Sequence, residues 1–249
     1  IVSAAPEIFS IDYFDNSQQA IKSELVDNSA ELYFLYTPNR NLFGYGVERK
    51  FGTNIYPSFL LSYQKGLELG AGYTNYSKLF FSYNQPLKLG KFGILDTTFE
   101  AGKIFGDAQL SVLSPVPANQ TYSLVANTFS LLNYYDFVVD QFLVGHFEHH
   151  FNGFILNRLP LINKLKLRSL MTFRGVIGNV SDSNSAINQS TIVYNAPTEL
   201  YYEYGFGVEN IGFGNLRIFR IDCIWRSEFT NPNNYAPNFG VRVGMSPGF

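Results

Sequence analysis

Apolar and polar residues alternate along much of the chain. In the final stretch, Asn238-Phe-Gly-Val-Arg-Val-Gly-Met-Ser-Pro-Gly-Phe249, Phe239, Val241, Val243 and Met245 share one parity, and Gly240, Arg242, Gly244 and Ser246 the other. Successive side chains of a strand point to opposite faces, so the pattern predicts a strand with one apolar and one polar side. Residues 216–226 repeat it, with Phe219, Ile221, Cys223 and Trp225 against Arg220, Asp222 and Arg226. In 201–209, Tyr202, Tyr204, Phe206 and Val208 oppose Glu203, Gly205, Gly207 and Glu209. Upstream, Leu167, Met171, Phe173 and Ile177 oppose Lys166, Arg168, Thr172 and Arg174, while Leu95, Phe99 and Ala101 oppose Asp96, Thr98 and Glu100. Phe59, Leu61 and Tyr63, then Leu79, Phe81 and Tyr83, continue the series. About ten strands are predicted, near 31–37, 43–50, 55–66, 76–85, 92–105, 136–151, 164–178, 200–210, 215–229 and 238–249.

The connections alternate in length. Those near 51–54, 86–91 and 211–214 are short, whereas 106–135 and 179–199 are long and rich in Ser, Asn and Pro. Short turns on one side and long loops on the other are the habit of an outer-membrane barrel, and that orientation puts the C-terminus on the periplasmic side. The apolar connection 152–163 is expected either at the membrane interface or packed under the barrel. Residues 1–30 lack the dyad pattern and are expected to be an upstream strand or a plug, leaving 31–249 as the barrel strands.

Composition narrows the class further. Aromatic residues make up 17% and charged residues 15%, against roughly a quarter charged in an ordinary soluble domain. No run approaches the roughly 20 apolar residues of a spanning helix, and a mean hydropathy of −0.03 is what strands with one lipid and one water face average to. A net charge of −2 carries no electrostatic footprint for nucleic acid. Cys223 is the one cysteine, so no intrachain disulfide forms. Ile1-Val-Ser-Ala-Ala-Pro6 lacks the basic and apolar regions of a signal peptide, and the chain is expected to be mature or the C-terminal part of a longer polypeptide.

The run Asn133-Tyr-Tyr-Asp-Phe-Val-Val-Asp-Gln-Phe-Leu-Val-Gly-His-Phe-Glu-His-His-Phe-Asn-Gly153, followed by Leu159-Pro-Leu-Ile-Asn-Lys-Leu-Lys-Leu-Arg168, resembles a family of Bacteroidetes outer-membrane proteins. There, a carboxypeptidase-regulatory-like β-domain precedes a barrel of the surface-antigen superfamily, to which the assembly factor BamA belongs. The resemblance implies an all-β, antiparallel transmembrane barrel of typically sixteen strands, of which this chain supplies the C-terminal part. It also implies a subunit or accessory of a machine that assembles or translocates outer-membrane proteins. The expected partners are outer-membrane lipid, lipopolysaccharide and other proteins of such a complex, without nucleic acid. One departure stands out: loop 106–135 lacks the Arg-Gly-aromatic tip usual in the superfamily, and Arg174-Gly175-Val176 lies on a strand instead. That favours an accessory or structural role.

Candidate chemistry is sparse. His146, Glu148 and His150 project from one face of one strand, but same-face neighbours lie some 6 to 7 Å apart, so one ion would need ligands from other strands. Hydrogen bonding inside the barrel is the expected role, with no metal and no cofactor. A barrel phospholipase would need Ser, His and Asn in fixed geometry, and the chain has no Gly-x-Ser-x-Gly to supply it, so no catalytic residue is assigned. Lys166, Arg168, Arg174, Arg220, Asp222, Arg226 and Arg242 are expected to line the lumen as a salt-bridged wall, with a selectivity ring as the alternative. Phe239, Val241, Val243 and Phe249 form the expected C-terminal insertion signal, which marks a client of the assembly machinery. A passive pore is the alternative to the assembly role.

Overall fold

The computed structural model describes residues 26–39, 55–67, 75–188, 195–214, 216–228 and 237–245, together with the short strands Val2–Ser3, Tyr13–Asp15, Ala20–Lys22, Leu25–Val26, Leu42–Phe43 and Lys50–Phe51. Nine strands form one sheet: β1 (Ser29–Tyr36), β2 (Ser58–Gly66), β3 (Tyr76–Lys88), β4 (Ile94–Gly106), β5 (Gln141–His150), β6 (Arg168–Asn179), β7 (Tyr201–Phe213), β8 (Leu216–Arg226) and β9 (Phe239–Met245). Each pairs antiparallel with the next in sequence. The fold is therefore all-β and antiparallel, a nine-stranded meander in which β1 and β9 point the same way. Antiparallel closure of such a sheet takes an odd number of further strands.

All nine strands begin or end within a few residues of the dyad reading, which follows from how strictly side-chain parity tracks the two faces. Two expectations are corrected. The ends of the strand expected at 43–50 pair with each other, Leu42–Phe43 antiparallel to Lys50–Phe51, and 44–49 lie outside the described residues. The strand expected at 136–151 starts at Gln141, since Val138–Val139 pairs instead with Ser114–Pro115. Phe249 and the end of the expected last strand lie outside the described residues, while the short pairs Val2–Ser3 with Leu25–Val26 and Tyr13–Asp15 with Ala20–Lys22 occupy part of 1–30.

One end of the sheet carries the connections 37–57, 89–93, 151–167 and 214–215, the other 67–75, 107–140, 180–200 and 227–238. The second end, the loop end, holds the two long loops; the first is the turn end. Length sorting holds apart from 37–57 and 151–167.

The outer face is apolar and exposed. Phe34, Leu61, Phe81, Leu143, Phe173, Phe206, Ile221 and Val241 all lie open on it, spread across the sheet. An aromatic row crosses it in register: Tyr36 opposite Phe59, Phe59 opposite Tyr83, Tyr83 opposite Phe99. Phe147 meets Phe99 edge-on at 5.1 Å across Gly145, whose missing side chain leaves room for the two rings. The row continues through Phe173, Tyr204 and Trp225 to Phe239, each the ladder partner of the next. Such ring pairs contribute roughly 0.5–1.5 kcal/mol each beyond their burial.

The inner face is covered by loop 107–140. Val116, Phe129, Leu132 and Phe137 of the loop pack on Val144, Val176 and Tyr201 of β5, β6 and β7, and a second cluster gathers Leu110, Val112 and Leu113 around Tyr76 and Ile104. The core therefore sits between the sheet and its own loop. Loop 180–200 is tied to this cap through Asp140, whose carboxylate accepts from the Ser181 amide at 2.8 Å and the Asn184 side-chain amide at 2.9 Å.

Candidate functional site: a charged inner face under a loop

Parity sends Glu148 and His150 of β5, Arg174 of β6, Glu203 and Glu209 of β7, and Arg220 and Asp222 of β8 to the inner face. Their side chains join into a network. The Arg220 guanidinium donates to both carboxylate oxygens of Glu148, at 2.8 Å for Nη2 to Oε2, and to both of Asp222 at 2.8 and 2.6 Å. His150 Nε2 lies 3.0 Å from Glu148 Oε1 and 3.6 Å from Asp96 Oδ2, and its Nδ1 lies 3.0 Å from Glu209 Oε2. Four strands, β4, β5, β7 and β8, are thereby linked across the concavity, over the top of β6.

This contact measures the curvature. β5 and β8 are three places apart in the sheet, about 14 Å along a flat surface at roughly 4.8 Å per strand. Side chains standing perpendicular to a flat sheet at that spacing would not meet, so the sheet curls toward its inner face. Glycine clears the floor beneath: a Cβ on Gly207 would fall 2.3 Å from Asp222 Oδ1, and one on Gly205 would fall 2.8 Å from Thr172 Oγ1 and 2.9 Å from the Cys223 carbonyl.

A second group anchors the loop. Glu203, 1% exposed, accepts the Ser130 amide at 2.7 Å and the Leu131 amide at 2.8 Å, one on each oxygen. Tyr201 donates its hydroxyl to the same carboxylate at 2.9 Å. Arg174 donates to Ser130 Oγ at 2.7 Å with Glu203 3.9 Å away. Arg226 donates to the Leu131 carbonyl at 3.3 Å, and Arg242 donates to the Ser130 carbonyl. Four strands thus converge on two loop residues. Farther along the loop, the Val243 amide donates to the Tyr122 carbonyl and the Leu124 amide to the Val243 carbonyl, so the loop also pairs with β9 on its edge away from β8.

Of the residues picked from sequence, Arg168, Arg174, Arg220, Asp222, Arg226 and Arg242 stand on the inner face, and the last five enter these two groups. Lys166 does not: it lies in the turn before β6, exposed, in a left-handed conformation with φ 52°. His146, Glu148 and His150 share the face, but only the latter two interact. His146 is buried 5.4 Å from the Phe129 ring, and its ring nitrogens have no hydrogen-bond partner among the described residues. His149 points the other way and meets the Phe92 carbonyl at 2.9 Å. Phe239, Val241 and Val243 are exposed on the outer face, and Phe249 lies outside the described residues. Sequence reading missed the anchoring role of Glu203. A carboxylate between Tyr202 and Tyr204 marks the inner face, but nothing local says that a loop some seventy residues upstream will meet it.

Beside the anchored loop, a cleft of about 400 Å³ remains between residues 114–117 and the inner faces of β1 to β5, lined by Glu31, Gln64, Lys78 and Glu100 on one side and by Val116 and Phe142 among others. Among the described residues no group of three or more His, Cys, Asp or Glu side chains is arranged so that it could hold a metal ion, and no helix is long and apolar enough to cross a membrane.

Residues 16–182 match the model of a family described as "Family of unknown function (DUF5686) C-terminal domain". That span runs from before β1 to the start of the short helix Asp182–Ile187 and includes the whole of loop 107–140. No curated protein and no solved structure matches the chain.

Proposed function

The chain belongs to this DUF5686 C-terminal domain family, and from that premise we propose that it is wall of an outer-membrane β-barrel, serving a machine that assembles or translocates outer-membrane proteins as a subunit or accessory. The observation that carries the membrane part is the contrast of faces. A water-soluble sheet with this much aromatic and aliphatic surface would cover it with a second layer, whereas here the covered face is the charged one and the apolar face is open. In lipid that inversion is the stable arrangement once further strands pair with the open edges of β1 and β9, since the charges stay inside. A sixteen-stranded barrel would add seven strands to the nine, an odd number as antiparallel closure demands, and the strand next to β9 would have to take over the edge that Tyr122 and Leu124 hold at Val243.

The assembly part is supported by the resemblance of the 133–168 run to a family of Bacteroidetes outer-membrane proteins, which implies a surface-antigen-type barrel, and by how the interior is used. Loop 107–140 fills much of the concavity and is fastened by side chains of β6 to β9, a wall braced from within. The passive-pore reading draws on the cleft beside that loop, with Glu31, Lys78 and Glu100 on its rim. Bond-making chemistry has the least support: His146 and His150 face inward and His149 outward.

Two measurements decide between the readings. Depleting the protein in its own cells should lower the levels of other outer-membrane proteins; unaltered levels would sink the assembly role. Steady single-channel openings of the purified full-length protein in planar bilayers would instead establish the pore.

A further inference from the structure

The charges of the connections are sorted by end. At the loop end, 107–140 carries Asp107, Asp136 and Asp140, 180–200 carries Asp182 and Glu199, and 227–238 carries Glu228, with no Lys or Arg in any of them. At the turn end, 89–93 carries Lys91 and 151–167 carries Arg158, Lys164 and Lys166, with no Asp or Glu in either. The remaining turn-end connection of any length, 37–57, has three basic residues against one acid.

The basic turns are also apolar and exposed. Leu161 is 84% exposed and Phe213 94%, and Leu159, Leu165, Phe92 and Leu216 are open as well. They are built into one platform. Phe92 meets Phe154 edge-on at 5.0 Å, joining 89–93 to 151–167, and Arg158 lies 4.1 Å over the opposite partner ring, Phe154. Arg217 donates to the Leu165 carbonyl and Asn210 to the Lys166 carbonyl at 2.5 Å, joining 151–167 to the β7–β8 turn. Two short helical turns, Leu156–Arg158 and Asn163–Leu165, present leucines between the cations.

Resting on the membrane reading above, we infer that this turn-end platform docks on anionic phospholipid headgroups of the adjoining leaflet. Exposed leucines enter the headgroup and acyl boundary, and Lys91, Arg158, Lys164 and Lys166 meet the phosphates, the pairing of apolar burial and electrostatic attraction that holds interfacial segments on a membrane. A partner of acidic protein would match the charge but not the tip leucines flanked by lysine stems, which suit a surface with an apolar layer beneath a charged one.

The test uses the full-length protein in phosphatidylcholine vesicles containing phosphatidylglycerol, with bromine carried on the acyl chains of one lipid or the other. Trp225, the one tryptophan of these 249 residues, sits on the outer face and, with any tryptophan elsewhere in the polypeptide changed to Phe, reports on the wall; Leu161→Trp in the same background with Trp225→Phe reports on the platform. Quenching at position 161 is expected to be about twofold or more stronger with brominated phosphatidylglycerol than with brominated phosphatidylcholine, and the preference should vanish when Lys91, Lys164 and Lys166 are changed to Gln. Equal quenching by both lipids overturns the anionic preference. Quenching of Trp225 without quenching at 161 overturns the docking and leaves the wall in place, as does a photo-cross-link from position 161 to an acidic protein in cells. An unquenched Trp225 overturns the membrane reading together with this one.

Discussion

Arg220 on β8 bridges to Glu148 on β5 across two intervening strands while gripping Asp222 of its own strand. The Arg220 and Asp222 side chains are almost wholly buried and Glu148 is about a quarter exposed, so solvent screens the group little. Removing one partner from such a group strands the other charges, which costs about 3–5 kcal/mol. Arg220→Leu is expected to lose that much, measured as a shift in the denaturant midpoint of refolding in micelles. Arg220→Lys should fall between, since an ammonium lacks the fork that serves two carboxylates at once. Replacing Arg220, Glu148 and Asp222 together by apolar residues should recover most of the loss. A single Arg220→Leu within 0.5 kcal/mol of the parent would mean that the bridge does not hold the curl.

Glu203 makes the comparable prediction for the loop. Its carboxylate takes two backbone amides at a buried position, and Glu203→Ala would leave both unpaired at about 1–3 kcal/mol each. Glu203→Gln turns the carboxamide NH2, itself a donor, toward one of those donors and should also lose stability. Hydrogen exchange offers the direct reading: the Ser130 and Leu131 amides should exchange far faster in Glu203→Ala, and amides of β3 should not change.

The glycine floor is testable by a single methyl. Gly207→Ala places a carbon 2.3 Å from Asp222 Oδ1 and 3.0 Å from the Ile221 carbonyl, so either the carboxylate leaves Arg220 or the strand shifts. Overpacking of this kind costs about 1–3 kcal/mol. Combining Gly207→Ala with Arg220→Leu should be clearly less than additive, because both act on the same bridge; full additivity would show them to be independent.

The strands were legible because parity is a property of neighbours: Phe219, Ile221, Cys223 and Trp225 declare a face without reference to the rest of the chain. The inner-face charges of β6, β8 and β9 were legible for the same reason. What stayed hidden is long-range. Val138–Val139 reads as the start of β5, yet it pairs with Ser114–Pro115, since a β-rich dipeptide takes whichever strand the loop brings to it. The grouping of Glu148 with Arg220 depends on curvature, which no alternation encodes. Lys166 was misplaced because parity counting ran through a turn whose left-handed residue ends the register.

The outer face gives the sharpest contrast between a wall in lipid and a sheet in water. Phe173 lies midway along β6 in the aromatic row, between Phe147 and Tyr204, and is more than a third exposed. In water, Phe173→Arg at such a site would change little, and in lipid an Arg near the midplane costs about 2–4 kcal/mol. Tyr134→Arg is the control, a still more open aromatic on the loop-end cap, where the change should stay within about 0.5 kcal/mol in either setting. Folding both variants into vesicles and titrating with urea compares them directly. Phe173→Arg should lower the midpoint strongly in vesicles and Tyr134→Arg should not; equal, small effects of the two would place the outer face in water and remove the ground for a membrane wall.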